Sequence, residues 1–410
     1  MTTVSLKDLL SDQGRRDPYA FYAQLHERGH PASRLNSAAD GYDVLVYGYA
    51  EVERVLKDPA FKLMDIAYMD EYVAHWRDHT ALRTLKDSVF FVNAAVHARL
   101  RHLFTRVFTP RRVAALEPAI ARLCAELLDT VAAKAAGGQV VDFMAEFAYP
   151  LPSNVIGELL GVPEGDRAWF RPRVLTLSTI FELDGSTWQT MRDADEATGE
   201  LRDYFAELAA KRRVDPREDL VSGLVTTREA DGDQLTDDEL IANLITLFNA
   251  GFVTTTHLFG NGLRLLLEDP ARRAAILADP AVVPSYVDEI LRYEPPVHFV
   301  VRYADYDTEI AGIPVARGES VVVALGAANR DPAKFDHPER FDPTRPHHHQ
   351  LMTFGYGPHI CLGAALTRAE GQIALPILLE RFPDLTIVGE PPVPRQLMFR
   401  GHETLPVTIS

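Results

Sequence analysis

The 410-residue chain has two cysteines, Cys124 and Cys361, and their surroundings differ. Cys124 lies in Ala-Arg-Leu-Cys-Ala-Glu-Leu-Leu, where a cysteine acts as a small core hydrophobe. Cys361 ends the loop of Phe354-Gly-Tyr-Gly-Pro-His-Ile-Cys361-Leu-Gly363 and leads into a helical run, Leu362–Glu370. A sulfur at a helix start meets the positive end of the helix dipole and unpaired N–H groups. Both favour thiolate over thiol. A thiolate is either a nucleophile or a metal ligand. Two cysteines so far apart in sequence supply neither a disulfide framework nor a four-cysteine zinc site.

Helices dominate the elements that must hold such a loop. From Arg99 to Glu268 the pattern is mostly helical, broken by turns at Gly137-Gly138 and Asp231-Gly232. Leu240 to Leu263 carries no Asp, Glu, Lys or Arg, yet Asn243, Thr246, Asn249, His257 and Asn261 make it too polar for a bilayer. It reads as a helix buried in a large soluble protein. Thr236-Asp-Asp-Glu239 is a capping box that opens it. Strands are expected within Gly41–Gly48, at Thr308–Ile310, at Ser320–Ala324 and at Leu405–Ile409, with a short helix over Glu51–Leu56. With no linker and no repeat, the expectation is mainly α with small β-sheets (α+β), one domain over residues 1–410.

Lys+Arg total 42 against 58 Asp+Glu, a net −16 that argues against a nucleic-acid partner. At 47% apolar and 24% charged, the composition is that of a folded globular protein. The start is too polar for a signal peptide, so a cytoplasmic location without membrane attachment is expected. The run His347-His-His349 reads as a loop before the cysteine segment, since adjacent histidines share no face.

Phe-Gly-x-Gly-x-His-x-Cys-x-Gly resembles the haem-binding signature of the cytochrome P-450 family, with every fixed position met. Glu289-Ile-Leu-Arg292 resembles that family's Glu-x-x-Arg helix, and Pro338-Glu-Arg340-Phe341 the segment whose Arg completes a Glu–Arg–Arg network. Ala250-Gly251 followed by Thr254-Thr255 resembles the oxygen-binding groove of its longest helix. Asp17-Pro-Tyr-Ala-Phe-Tyr22 and Ala328-Asn-Arg-Asp-Pro332 are typical of soluble bacterial members. The likeness spans nearly the whole chain.

The resemblance implies a single-domain fold with the long helix over haem b, and Cys361 as its thiolate ligand. A thiolate pushes electron density onto iron and favours O–O cleavage. It further implies that His97, Arg101, Arg302 and His359 hold the propionates, that Phe354 shields the thiolate, and that Gly355, Gly357 and Gly363 allow close backbone approach. Ala250, Gly251 and Thr254 would form the catalytic groove, and Glu289, Arg292 and Arg340 a structural network. A pair three residues apart on a helix can meet directly. The implied activity is monooxygenation of a sizeable apolar, secondary-metabolite substrate, free or bound to a carrier protein. Its pocket would include Phe90, Ile180, Phe248, Val253, Val297, Val300 and Met398.

One position departs from the family. Val253 stands where an acid usually helps relay protons, and a positioned proton donor is typically worth about 10²–10⁴-fold in rate. Water or a substrate hydroxyl would then carry the proton. Alternatives are oxidative coupling or peroxide-driven chemistry, or a haem-binding protein without turnover. Finally, Arg99 to Arg112 holds Arg99, Arg101, His102, Arg106, Arg111 and Arg112 and no acid. In this family that helix faces a ferredoxin or flavodoxin, so Arg99, Arg106, Arg111 and Arg112 are the expected docking charges.

Overall fold

The computed structural model describes residues 3–185, 187–227, 234–346 and 350–409. The His347–His349 run and the Asp231-Gly232 turn lie outside the described residues. The chain divides into two compact units, residues 1–61, 117–151 and 254–410, and residues 62–116 and 152–253.

The first unit holds the sheets. Val44–Val46 runs parallel to Ser320–Ala324 and antiparallel to Ala32–Arg34, and Phe299–Ala304 lies antiparallel on the other side of Ser320–Ala324. A short fifth strand begins at Phe61. Ser320–Ala324 is central in this sheet and wholly buried, which is why Val321, Val322 and Val323 follow without a polar alternation. One face packs on the helix Tyr49–Lys57 through Val52, Val55 and Leu56, together with Phe335 and Met352. A second sheet joins Val141–Asp142, Pro406–Thr408 and Thr386–Ile387. A hairpin pairs Thr308–Ile310 with Ile313–Val315, turning through Ala311 and Gly312, both at positive φ.

The second unit is helical: Ala94–Val107, Glu164–Ser178 and Trp188–Val214 accompany the first half of the long helix Asp237–Glu268. Its core is aromatic, with Phe170 stacked on Phe248 at 4.2 Å between centroids and tilted against Phe205 at 5.4 Å. The capping box forms reciprocally: Thr236 N–H donates to Glu239 Oε2 at 2.9 Å, and Glu239 N–H to Thr236 Oγ1 at 3.2 Å. Among the described residues no helix is long and apolar enough to cross a membrane.

Strand Phe299–Ala304 is not among the strands expected from the sequence. Its burial is irregular rather than alternating, so no period-two signal marks it.

Candidate functional site

Cys361 is exposed, whereas Cys124 is buried and its thiol is pushed up to about 12 by burial. The loop before Cys361 is closed by backbone: Cys361 N–H donates to Phe354 O at 2.9 Å and Gly355 N–H to Met352 O at 2.8 Å. Gly355 and Gly357 adopt φ of 69° and 72°, a region an L side chain seldom enters. At Gly357 a Cβ would also sit 2.7 Å from Leu56 O. Pro358 and His359 follow in a short turn, His359 half-buried, and Gly363 caps the helix Ala364–Arg381. The sequence segment therefore makes a rigid bend that presents one uncovered sulfur two residues before a helix cap.

That bend rests on the helix Val283–Tyr293. Thr353 Oγ1 donates to Leu291 O at 2.6 Å and accepts from Asn329 Nδ2 at 2.9 Å. On the same helix Glu289 and Arg292 form a bidentate pair, with Nε and Nη2 each 2.7 Å from a carboxylate oxygen, both residues buried. Arg292 Nη1 also reaches Asn329 O and Pro338 O.

The third guanidinium at Glu289 is Arg345, not Arg340. Arg345 Nε lies 3.3 Å from Glu289 Oε1, with its side chain 8% exposed. The Arg340 side chain is 68% exposed. Arg340 contributes its backbone carbonyl instead, accepting from both Arg292 and Arg345 at 2.9 Å. The loop turns Arg340 outward and folds back five residues later, a path that sequence spacing does not encode.

Arg302 is the other guanidinium buried nearby in sequence. It sits mid-strand opposite Val321, and among the described residues its side chain donates one hydrogen bond, to its neighbour Val301 O at 3.0 Å. Among the described residues no carboxylate pairs with it, and burial lowers its pKa to about 10. A buried cation without a counter-charge is costly, so this position suits an anionic group from outside the chain. In the second unit, His97 is buried on the helix Ala94–Val107 one turn from Arg101; burial first and Arg101 second lower its pKa.

On the long helix, most residues from Leu240 to Leu263 are buried, yet Ala250 is exposed and Leu247, Gly251 and Thr254 are half-buried. Spacings of three and four place these on one face, which is less buried than the rest of the helix. Gly251 there lies against Ile156, where a Cβ would sit 3.0 Å from Ile156 Cδ1. In the first unit, an exposed cysteine at a glycine bend and a buried Arg302 that no carboxylate among the described residues matches fit the thiolate ligand and a propionate of haem. Among the described residues no three His, Cys, Asp or Glu side chains converge as an all-protein metal site.

The pocket expectations divide. Phe90 is exposed and Ile180 half-buried, with Phe90 and Phe91 ringed against Phe181 at 6.4 and 6.2 Å. Val297 and Val300 are half-buried, and Val297 bridges Phe399. Met398 is 8% exposed. Phe248 and Val253 are corrections: both are buried, and Phe248 is occupied in its stack on Phe170, so neither offers a surface to a ligand. Arg99 is also committed, paired with Glu239, which leaves Arg106 and Arg111 as the exposed charges of the basic stretch. Arg112 is half-buried and donates to Val107 O at 3.2 Å.

A family model described as cytochrome P-450 matches residues 168–401. Cytochrome P-450 monooxygenase PikC of Streptomyces venezuelae is 38% identical over 403 residues, covering 95% of this chain and 91% of that protein. The 6-deoxyerythronolide B hydroxylase of Saccharopolyspora erythraea is 36% identical over 419 residues, all of both chains. Among solved structures, P450BioI in complex with hexadec-9Z-enoic acid ligated acyl carrier protein superposes with a TM-score of 0.88 at 33% identity, covering 97% of this chain and 100% of that one.

Proposed function

The chain belongs to the cytochrome P-450 family, and from that premise we propose that it hydroxylates or epoxidises a sizeable apolar intermediate of secondary metabolism, drawing electrons from a ferredoxin and its reductase. It is a monooxygenase of the oxidoreductase class, and members of its family bind haem b through a cysteine thiolate. Thiolate-ligated haem supplies reductive O–O cleavage and transfer of one oxygen atom, the other leaving as water.

In this reading Cys361 is the ligand, because it is the exposed thiol and Cys124 is buried. Arg302 binds a propionate, since no carboxylate among the described residues neutralises it. His97, Arg101 and His359 share that task by the family pattern, and Phe354, Gly355 and Gly363 shape the cysteine bend. Ala250 and Gly251 keep the helix face low, and Thr254 Oγ1 holds and passes a proton beside the substrate. Val253 carries no proton, so water or a substrate hydroxyl feeds Thr254. Phe90 and Ile180 in the second unit, and Val297, Val300 and Met398 in the first, each offer an apolar side chain to the substrate. The whole chain, residues 1–410, acts as one catalytic domain in the cytoplasm.

A relative named for hydroxylating 6-deoxyerythronolide B and a fold neighbour bound to an acylated carrier protein support a large apolar substrate, free or carrier-bound. Exposed Arg106 and Arg111, with Arg112, support docking of an acidic electron donor.

The observation that carries this reading is the uncovered Cys361 at its glycine bend. Its test is the ferrous carbonyl spectrum, expected at the long-wavelength thiolate position, followed by turnover with NADPH, ferredoxin and reductase. A carbonyl band like that of a histidine-ligated globin overturns the ligand assignment. Reduction rates that ignore Arg106→Glu, Arg111→Glu and salt remove the docking face. Val253 favours a second reading, peroxide-driven or coupling chemistry, and full activity with peroxide alone selects it.

A further inference from the structure

The helix Val283–Tyr293 carries one more acid pointing at the cysteine bend. Asp288, next to Glu289, is buried, and Arg368 Nε donates to its Oδ1 at 2.6 Å. Arg368 belongs to the second turn of the helix Ala364–Arg381 and is about a quarter exposed. Its guanidinium lies over the Phe354 ring, 4.5 Å from the centroid. Phe354 in turn accepts the Cys361 N–H through its carbonyl. A continuous line of contacts therefore runs Asp288, Arg368, Phe354, Cys361, and both ends of the bend are tied to one helix, since Thr353 is bonded to Leu291.

We propose that Arg368 is a positioning residue for Cys361, acting through Phe354. The inference rests on the assignment of Cys361 as the haem ligand. A ring beside a loop can turn; a guanidinium fixed by a buried carboxylate and stacked on that ring resists the turn. Arginine suits the role because one planar group can donate to Asp288 through an edge and cover the ring with its face. Without it, Phe354 keeps its place by packing alone, and the backbone bonded to Cys361 loosens with it.

The experiment uses the haem-loaded full chain and reads the ferrous carbonyl band under mild urea, timing its shift from the thiolate position. Arg368→Gln is expected to speed that loss about 2- to 5-fold, the range a single cation–π contact supports. Asp288→Asn should act in the same direction. Arg368→Lys, which keeps the charge, should recover part of the lifetime. Phe354→Leu should shorten the lifetime too, and adding Arg368→Gln to it should have little further effect. Circular dichroism should be the same for all variants. An Arg368→Gln lifetime equal to that of the unmodified protein overturns the proposal, as does an undiminished Arg368→Gln effect in the Phe354→Leu background. If Arg368→Gln fails to fold, Asp288→Asn and Phe354→Leu, alone and combined, decide in the same way. Failure of the ligand assignment is a separate outcome: the unmodified protein would then show no thiolate band at all.

Discussion

Arg292 and Arg302 are both buried, and the chain treats them in opposite ways. Arg292 gives two hydrogen bonds to Glu289 and others to the carbonyls of Asn329, Pro338 and Arg340. Arg302 gives one, to the carbonyl beside it. Burial of a guanidinium is a similar desolvation problem at each place, so the number of partners separates a structural charge from a receptive one. Arg292 completes the fold by itself. Arg302 is costly to bury as it stands, and under the proposed function a propionate would offset that cost.

The largest perturbation tests whether that contrast belongs to the arginines alone. His257 and His298 are buried with pKa values near 3 and His402 near 4, in each case mainly through burial, while Glu294 is held near 2, its large desolvation outweighed by Arg400, Arg264, His298 and Arg330 together. The unfolded chain binds protons at these sites first. Stability is therefore fully present above about pH 6.5 and is lost as pH falls toward 3. The thermal midpoint should drop steadily between pH 7 and pH 4. Arg302, even lowered to about 10, stays charged across that range, so the stability difference between Arg302→Met and the unmodified protein should not change from pH 8 to 5. A difference that tracks pH would tie Arg302 to the titrating groups instead.

Breaking the satisfied cluster comes next. Glu289→Ala or Arg292→Ala leaves an unmatched buried charge and should cost about 3–5 kcal/mol, read as apoprotein or as loss of soluble expression. Normal haem content and an unchanged midpoint would show that the pair is dispensable. Arg302→Met has the opposite sign in the apoprotein. It removes an unmatched charge and should stabilise by about 1–3 kcal/mol, while haem is retained less firmly in a transfer assay. A variant that is both less stable and equally retentive would make Arg302 an ordinary structural residue.

The smallest effects separate the two candidate third members. Arg345→Ala should cost about 1–3 kcal/mol, because Glu289 keeps Arg292 but loses one charged donor. Arg340→Ala should fall within about 0.5 kcal/mol, as an exposed side chain does. Equal losses at both positions in chemical denaturation would return Arg340 to the network.

These contrasts show what was legible. The capping box at Thr236 and Glu239 and the Glu289–Arg292 pair were readable because their partners are three residues apart on one helix. The cysteine bend was readable because Gly355 and Gly357 mark positive φ and the proline and helix start mark its end. Phe248 was misread, since a phenylalanine on the long helix carries no sign of whether it meets a ligand or Phe170. The strand Phe299–Ala304 was not legible, because its residues do not alternate between buried and exposed.

From its own order of residues, then, the chain determined each contact that closes within a helical turn or a tight bend: rise per residue and allowed φ fix those geometries locally. Tertiary structure alone decided that Arg345 rather than Arg340 turns inward, that Arg302 finds no carboxylate among the described residues, and that Arg368 rests on Phe354. Those outcomes depend on which distant segments pack together, where burial removes water and makes every missing or present partner count.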